Sequence, residues 1–320
     1  MSQQTERIKN GRKRSRDQFE NNNVIPHSYK EQALQAEGVN CDRMEWLEGF
    51  SSIERISRSF RAKPVIFHGT PQIVSLKGSQ TAFQAFEELA SSVSTKISPW
   101  EYCYSSEGKE QGRVTRKMME FPQFVEKIFD GEILYLHQCL CLKEKTQVKN
   151  GQDAEISSVF GSAICVPESV AFSEIRQSNI WLGRCATSNI HMDGLDNILC
   201  CIQGEKIIHL YSPWETIHLY PRGRDQVPIQ SSVKSFYRAD LEMFPEFAKA
   251  QRYKARLVSG ESLFIPAGWW HEVVTPVPTV AVNFWIENAP GIELRPSLLY
   301  FRSEAFYQFW LRKHQAENKK

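Results

Sequence analysis

Apolar and polar positions follow two rhythms along this chain, and the change from one to the other divides it. The first part has helical spacing. Ile53, Ile56 and Phe60 recur at three and four residues behind a Ser51/Glu54 capping box, and Phe83, Phe86 and Leu89 recur in the same way over 81–89. Phe124, Val125 and Ile128 follow Phe121-Pro122, with the proline in the first turn, where a helix tolerates it, and Asp130-Gly131 as the stop. Between the first two helices 64–67 reads as a short strand, and 101–104 with 113–121 reads as a hairpin across the Gly-containing segment 105–112. Over 132–142 the alternation has period two. It places Leu134, Leu136, Leu140 and Leu142 on one face and Tyr135, His137, Cys139 and Cys141 on the other. If the leucine face packs on a core, Tyr135 and His137 look into the opposite space.

From Asn179 onward the pattern is strand after strand: 179–185, 187–193, 196–203, 205–211, 254–258, 262–265, 270–275 and 279–286. Evenly spaced short strands with no helical pattern between them predict a mainly β fold, a sandwich or jelly roll. The excursion 212–253, with Pro213, Pro221, Pro228 and a short helix over 245–250, interrupts the series. Connections of that length are usually functional, and this one is expected to border a site. At the ends the pattern changes again. Residues 1–35 are polar throughout and predict a disordered tail. From Pro296 the spacing of Leu298, Leu299, Phe301, Phe306, Phe309 and Trp310 predicts a helix whose apolar surface serves its own domain or a homodimer. The expected organisation is a tail over 1–35, N-terminal α/β elements over 36–150, a jelly-roll core over 151–290 and a C-terminal helix over 291–320.

Composition adds limits. The chain has 320 residues, 24% charged and 41% hydrophobic, with a net charge of +2. That is an ordinary globular balance which by itself implies no polyanion partner. Arg12, Lys13, Arg14 and Arg16 form a basic cluster that reads either as a nuclear import signal or nucleic-acid contact, or as a solvated tail. The eight cysteines show no zinc-finger spacing, and Cys200 and Cys201 are adjacent in an apolar strand and so point to opposite faces. Reduced, buried thiols place the protein inside the cell, in nucleus or cytoplasm. No signal-peptide pattern opens the chain and no apolar run approaches the ~20 residues of a membrane span, so no membrane association is expected.

The candidate chemistry lies in the strands. His191 and Asp193, two apart, project to the same side of a strand, and His271 lies just past the apolar run Leu263-Phe264-Ile265-Pro266 at the mouth of another. Two imidazoles and one carboxylate on one face leave three octahedral positions open, the arrangement of non-haem Fe(II) oxygenases. Taken singly, each histidine is equally a hydrogen-bonded core residue. Asn197 shares parity with Asp193, and Asn283 and Trp285 face away from Val282 and Phe284. Lys206 shares a face with Ile208 and Leu210, which is costly unless it meets a negative charge or reaches water at the turn.

Together these stretches resemble the JmjC, or cupin-like, Fe(II)/2-oxoglutarate oxygenases: His191-x-Asp193, Asn197, Gly204-x-Lys206, Leu263 to Pro266, Trp269-Trp270-His271 and Asn283-Phe-Trp285. Upstream, Phe124 to Lys127 and Leu134-Tyr135-Leu-x-Gln138 resemble the asparaginyl hydroxylases that inhibit hypoxia-inducible factor. Ala239-Asp240-Leu241 through Arg252-Tyr253 is more similar to the small members around the tRNA wybutosine-synthesising hydroxylase and the heat-shock-protein-associated JmjC protein. The resemblance implies a double-stranded β-helix with iron held by His191, Asp193 and His271. It implies that Lys206 pairs with the far carboxylate of 2-oxoglutarate, with Tyr135 and Ser188 contacting it, and that Asn197 and Asn283 stand beside co-substrate and metal. His137 replaces a glutamine of the asparaginyl hydroxylases, so their substrate-amide contact does not carry over.

The implied activity consumes dioxygen and 2-oxoglutarate, releases succinate and carbon dioxide, and hydroxylates a macromolecule, either a protein side chain or a modified tRNA base. Two alternatives stay open. One is a binding protein that keeps the fold without turnover, and the other is a lysine demethylase. A non-redox metal cupin leaves Lys206 and Tyr135 without a reason.

Overall fold

The computed structural model describes residues 38–45, 63–68, 81–92, 96–97, 100–101, 115–116, 119–132, 134–142, 175–185, 188–222, 229–233 and 235–286. The expected basic tail, the Ser51-capped helix, the polar loop after Leu142 and the C-terminal helix lie outside the described residues.

Upstream come strands β1 (Val39–Asn40), β2 (Asp42–Glu45) and β3 (Val65–His68), helix α1 (Ala82–Ser92), and the short strands β4 (Lys96–Ile97), β5 (Trp100–Glu101), β6 (Thr115–Arg116) and β7 (Met119–Glu120). Helix α2 (Phe121–Phe129) and strand β8 (Leu134–Leu142) come next. α1 begins in a Thr81/Gln84 capping box, each residue's side chain accepting from the other's backbone N–H, at 2.8 and 3.2 Å. α2 opens with proline in its first turn and stops at Asp130, followed by Gly131 at φ +99°. Of the expected hairpin, Glu101 pairs antiparallel with Thr115 beside Trp100 with Arg116, whereas Met119–Glu120 pairs with Lys96–Ile97, upstream of the expected first strand; 102–114 lie outside the described residues.

The core is built from β9 (Ile175–Cys185), β10 (His191–Met192), β11 (Asp196–Gln203), β12 (Glu205–Tyr211), β13 (Pro221–Arg222), β14 (Ile229–Ser231), β15 (Arg252–Val258), β16 (Glu261–Ile265) and β17 (Trp270–Ile286). Three 3-10 turns, Pro213–His218, Phe236–Arg238 and Pro245–Lys249, fill the excursion. β17 is one strand of 17 residues where two were expected. Its first part pairs with β10 and β12 and its second with β11 and β9, the register slipping between Thr275 and Thr279 around Pro276 and Pro278. Two prolines remove two ladder donors, so the strand bends there and passes from one sheet into the other. The result is a jelly roll: β13-β14-β10-β17-β12-β15-β1 faces β2-β3-β16-β11-β17-β9-β8-β5-β6.

Strand parity decides what goes between the sheets. Leu199 and Cys201 of β11, Ile208 and Leu210 of β12, Leu257 of β15 and Leu263 of β16 meet in the interior. Ile198 and Cys200 face outward, with Val280, Val282 and Phe284, against Phe83 and Phe86 of α1 and Phe121, Phe124 and Ile128 of α2. Each of these fully buried phenylalanines contributes roughly 2–3 kcal/mol, so the helices are packed on the sheet by several such side chains. The outer face of the other sheet carries Met192, Tyr211 and Trp270 and is covered by Leu219, Val233 and Phe247 of the excursion.

β8 departs from its expected alternation. Tyr135 pairs with Gly183 and Leu136 with Leu182, but the register slips before Cys139 meets Ile180, so the predicted parity holds only through Leu136. Gly183, at φ +131°, allows the close approach: a Cβ there would stand 2.3 Å from the Leu134 carbonyl oxygen.

On the outer face of β12, His209 is fully buried and its Nε2 is hydrogen-bonded to the Tyr237 hydroxyl. Burial, reinforced by the nearby cations Arg252 and Lys254, lowers its pKa from 6.5 to about 3. Between those values the unfolded chain carries the proton and the folded one does not, so stability falls as pH drops from about 6.5 towards 3. Urea unfolding at about pH 7 and about pH 4.5 should show an acid loss that is smaller in His209→Gln than in the unsubstituted protein by on the order of 2 kcal/mol, buried His271 contributing to the loss that remains; an equal loss in both proteins would mean His209 is not held neutral.

Candidate metal centre

β10 is only two residues long, shorter than the strand expected over 187–193, and those two residues set the geometry. His191 pairs with His271 of β17 and Met192 pairs with Trp270. Met192 and Trp270 are buried on the outer face, so both histidines point into the space between the sheets. Their rings lie 4.2 Å apart between centroids. Asp193 follows on the same side, its Oδ2 3.9 Å from His191 Nε2 and 3.7 Å from His271 Nε2. One ligand atom from each of the three lies within 4.8 Å of the others.

The far nitrogens of both rings face backbone carbonyls. His191 Nδ1 donates to the Asn189 oxygen at 2.8 Å and His271 Nδ1 to the Trp269 oxygen at 3.1 Å. A proton held on Nδ1 leaves the Nε2 lone pair for a cation, the usual orientation of metal-ligating histidine. Burial, with His191 adding to it, lowers the His271 pKa from 6.5 to about 4 against the opposing pull of Asp193, so this imidazole is neutral at neutral pH. Two imidazoles and a carboxylate fit a divalent metal such as Fe(II). The backbone around them is tied down as well. The Asp193 carbonyl accepts from Gly268 N–H at 3.0 Å, and buried Asp196 accepts from Ala267 N–H at 2.7 Å, fixing the turn that delivers His271.

The triad lines a cavity of about 310 Å³. Lys206, 1% exposed, occupies another part of its wall. Its Nζ donates to the Tyr135 hydroxyl at 2.8 Å and to Thr275 Oγ1 at 3.1 Å. An ammonium removed from solvent and turned into a cavity is a position for an anionic group. Ser188 also lines the cavity, its Oγ accepting from Val273 N–H at 2.9 Å. Asn283 donates to Asn197 Oδ1 at 2.9 Å and accepts from Asn179 Nδ2 at 3.0 Å and Trp181 Nε1 at 2.7 Å. With Oδ1 so engaged, Nδ2 is the donor Asn197 has for a ligand.

All eight residues singled out in the sequence, His191, Asp193, His271, Lys206, Tyr135, Ser188, Asn197 and Asn283, line this one cavity. Thr275, Trp181 and Gln230 line it too and were missed. Thr275 has the parity of His271 and Val273 and was therefore legible, whereas Gln230 is placed by the pairing of β14 with β10, which sequence spacing does not reveal.

Residues 56–291 match the family described as Cupin-like domain. Over 128 residues the chain is 43% identical to HSPB1-associated protein 1 homolog of Danio rerio, covering 38% of this chain and 28% of that protein. Over 120 residues it is 40% identical to the HSPB1-associated protein 1 of Homo sapiens, 35% of this chain and 24% of that protein. A third relative, tRNA wybutosine-synthesizing protein 5 of Danio rerio, is 42% identical over 101 residues, 32% of this chain and 29% of that protein. The matched stretch spans less than a third of each relative's length. With most of its length matched and a jelly roll enclosing a His-Asp-His cluster, the chain belongs to the cupin-like domain family.

Proposed function

We propose that the chain is an Fe(II)- and 2-oxoglutarate-dependent oxygenase that hydroxylates a macromolecular substrate, a protein side chain or a modified tRNA base. The observation that carries this reading is a single cavity holding both a two-histidine, one-carboxylate cluster and a buried lysine. A metal-binding protein without redox chemistry needs the first of these and has no use for the second.

His191, Asp193 and His271 would hold the iron, leaving open positions for the co-substrate and dioxygen. When bound, the iron supplies oxidative decarboxylation of 2-oxoglutarate to succinate and carbon dioxide, coupled to oxidation of a substrate C–H. The chain's own contribution is placement. Lys206 pairs with the far carboxylate of the co-substrate, and the hydroxyls of Tyr135 and Thr275 fix its ammonium from two sides. Asn197, oriented by Asn283, and Ser188 present polar groups to the same ligand. Leu199, Ile265, Trp181 and Trp285 supply apolar wall, which limits water around the reacting groups. Support for a macromolecular substrate comes from the relatives, one of them named for tRNA wybutosine synthesis.

Mixing the protein with Fe(II) and 2-oxoglutarate without oxygen should produce a weak visible charge-transfer band, and its absence from folded, iron-loaded protein would defeat the proposal. Asp193→Ala should lower Fe(II) affinity by more than about a hundredfold while leaving the circular dichroism spectrum unchanged.

Lys206→Ala should keep the metal and weaken 2-oxoglutarate by about 10- to 100-fold, the worth of one charge-assisted hydrogen bond. Undiminished co-substrate affinity would show that the far carboxylate is held elsewhere.

For the substrate, succinate release is compared with tRNA and with peptide pools, and the product is searched by mass spectrometry for one added oxygen. Stimulation by tRNA with an oxygenated nucleoside selects the base, an oxygenated peptide selects the side chain, and co-substrate turnover that neither pool raises above background would count against hydroxylation of either.

A further inference from the structure

The carboxamides beside the metal centre form a chain that crosses three strands. On β9, Gln177, Asn179 and Trp181 are spaced two apart and face the same way. Gln177 Nε2 donates to Asn179 Oδ1 at 2.6 Å, Asn179 Nδ2 to Asn283 Oδ1 of β17 at 3.0 Å, and Asn283 Nδ2 to Asn197 Oδ1 of β11 at 2.9 Å. Asn197 Nδ2 ends the chain. It has no partner among the described residues and is accessible from the cavity that holds His191, Asp193, His271 and Lys206.

A chain made only of carboxamides has no direction of its own. If each of the four side chains turned its amide over, the same three contacts would form with donor and acceptor exchanged. Asn197 would then show its carbonyl oxygen to the cavity. Before the co-substrate enters, the cavity favours that reversed state, because the Lys206 ammonium and a divalent ion at the triad both attract a carbonyl oxygen. Trp181 forbids it. Its Nε1 donates to Asn283 Oδ1 at 2.7 Å, and an indole N–H cannot act as an acceptor. Turning Asn283 over would set two donors face to face.

We propose that Trp181 is a positioning residue for the co-substrate: its indole N–H fixes the direction of the amide chain, so that Asn197 offers an N–H donor to a carboxylate of 2-oxoglutarate. This role rests on the reading of the cavity as a 2-oxoglutarate site. An anion gains a charge-assisted hydrogen bond from the amide held this way round, and meets a carbonyl dipole of the wrong sign when the amide is reversed. The same role accounts for two costly residues. Asn179 and Asn283 are sealed from solvent, where apolar side chains would be cheaper to bury, and both are needed to carry the direction set at Trp181.

The measurement is anaerobic calorimetry of 2-oxoglutarate binding to the full chain loaded with Fe(II). Trp181→Phe should weaken the co-substrate about tenfold, more than the roughly twofold that unbiased exchange between two directions would cost, while Fe(II) affinity stays within about twofold. Replacing Trp181 by benzothienylalanine, which keeps the bicyclic shape and lacks the N–H, should do the same and carries the test if Trp181→Phe does not fold. A double-mutant cycle separates positioning from wall contact. In an Asn197→Ala background, itself weaker for the co-substrate, adding Trp181→Phe should change affinity by less than about twofold. A full tenfold loss in that background would make Trp181 a wall residue and overturn the inference, as would co-substrate affinity within about twofold of the unsubstituted protein in the benzothienylalanine variant. If the unsubstituted protein takes up Fe(II) but no 2-oxoglutarate, the co-substrate reading itself fails and the role of Trp181 falls with it.

Discussion

Met192 and Trp270 face each other across two strands on the outside of the sheet, and that apolar pair decides which way two histidines point. Side chains alternate along a strand, so burying Met192 and Trp270 against Leu219 and Phe247 leaves His191 and His271 no direction but inward. A slip of one residue in β17 would turn His271 into the outer core and Trp270 into the cavity. The register is held by more than packing. Trp270 Nε1 donates to Thr216 Oγ1 at 2.9 Å, anchoring the ring to the first 3-10 turn of the excursion. The long loop therefore acts on the metal cluster from behind, through the parity it enforces.

The same alternation explains how a jelly roll tolerates polar groups in its interior. One part of the space between the sheets is filled by Ile208, Leu210, Leu257 and Leu263, while the other is left open and lined by Lys206, Asn197, Asn283 and the metal triad. Taking an ammonium out of water costs several kcal/mol, more than any single phenylalanine in the core contributes. A purely structural role would favour leucine at 206. The lysine is instead held between two hydroxyls from different strands, Tyr135 of β8 and Thr275 of β17, so that the closing of the barrel is what assembles its environment. Gly183, where no Cβ fits beside Leu134, lets β8 approach closely enough to bring Tyr135 there.

Much of this was legible in the sequence wherever a strand ran without interruption. Parity alone placed Lys206 with Ile208, Asn197 with Asp193, and Asn283 opposite Phe284; the spacing of Phe83 and Phe86 marked α1, and Pro122 with Asp130-Gly131 marked α2. Legibility failed where the ladder slips. Period-two reasoning over 132–142 carries across the irregularity after Leu136 as though it were absent, and the Pro276 and Pro278 bend in β17 reads as a strand break when it is a change of sheet. Pairing between distant strands was the other gap. Gln230 reaches the cavity because β14 adds to β10, and the orphaned Tyr211 and Arg252 meet because β12 pairs with β15. Neither pairing leaves a trace in local spacing.

Both faces of β12 are buried, and its polar residues bear the consequence. Inward it presents Lys206, Ile208 and Leu210, outward Ile207, His209 and Tyr211, and every one of its residues is sealed from solvent. A strand in that position cannot resolve a polar side chain by turning it to water, so each polar residue it keeps must find a partner on its own side of the sheet. His209 finds the Tyr237 hydroxyl and remains neutral; Lys206 finds two hydroxyls and remains directed at the cavity. Tyr211 and its neighbour Arg252 present donors with no acceptor among the described residues. One backbone element thus carries Lys206 into the cavity on one face and His209 and Tyr211 into the outer core on the other.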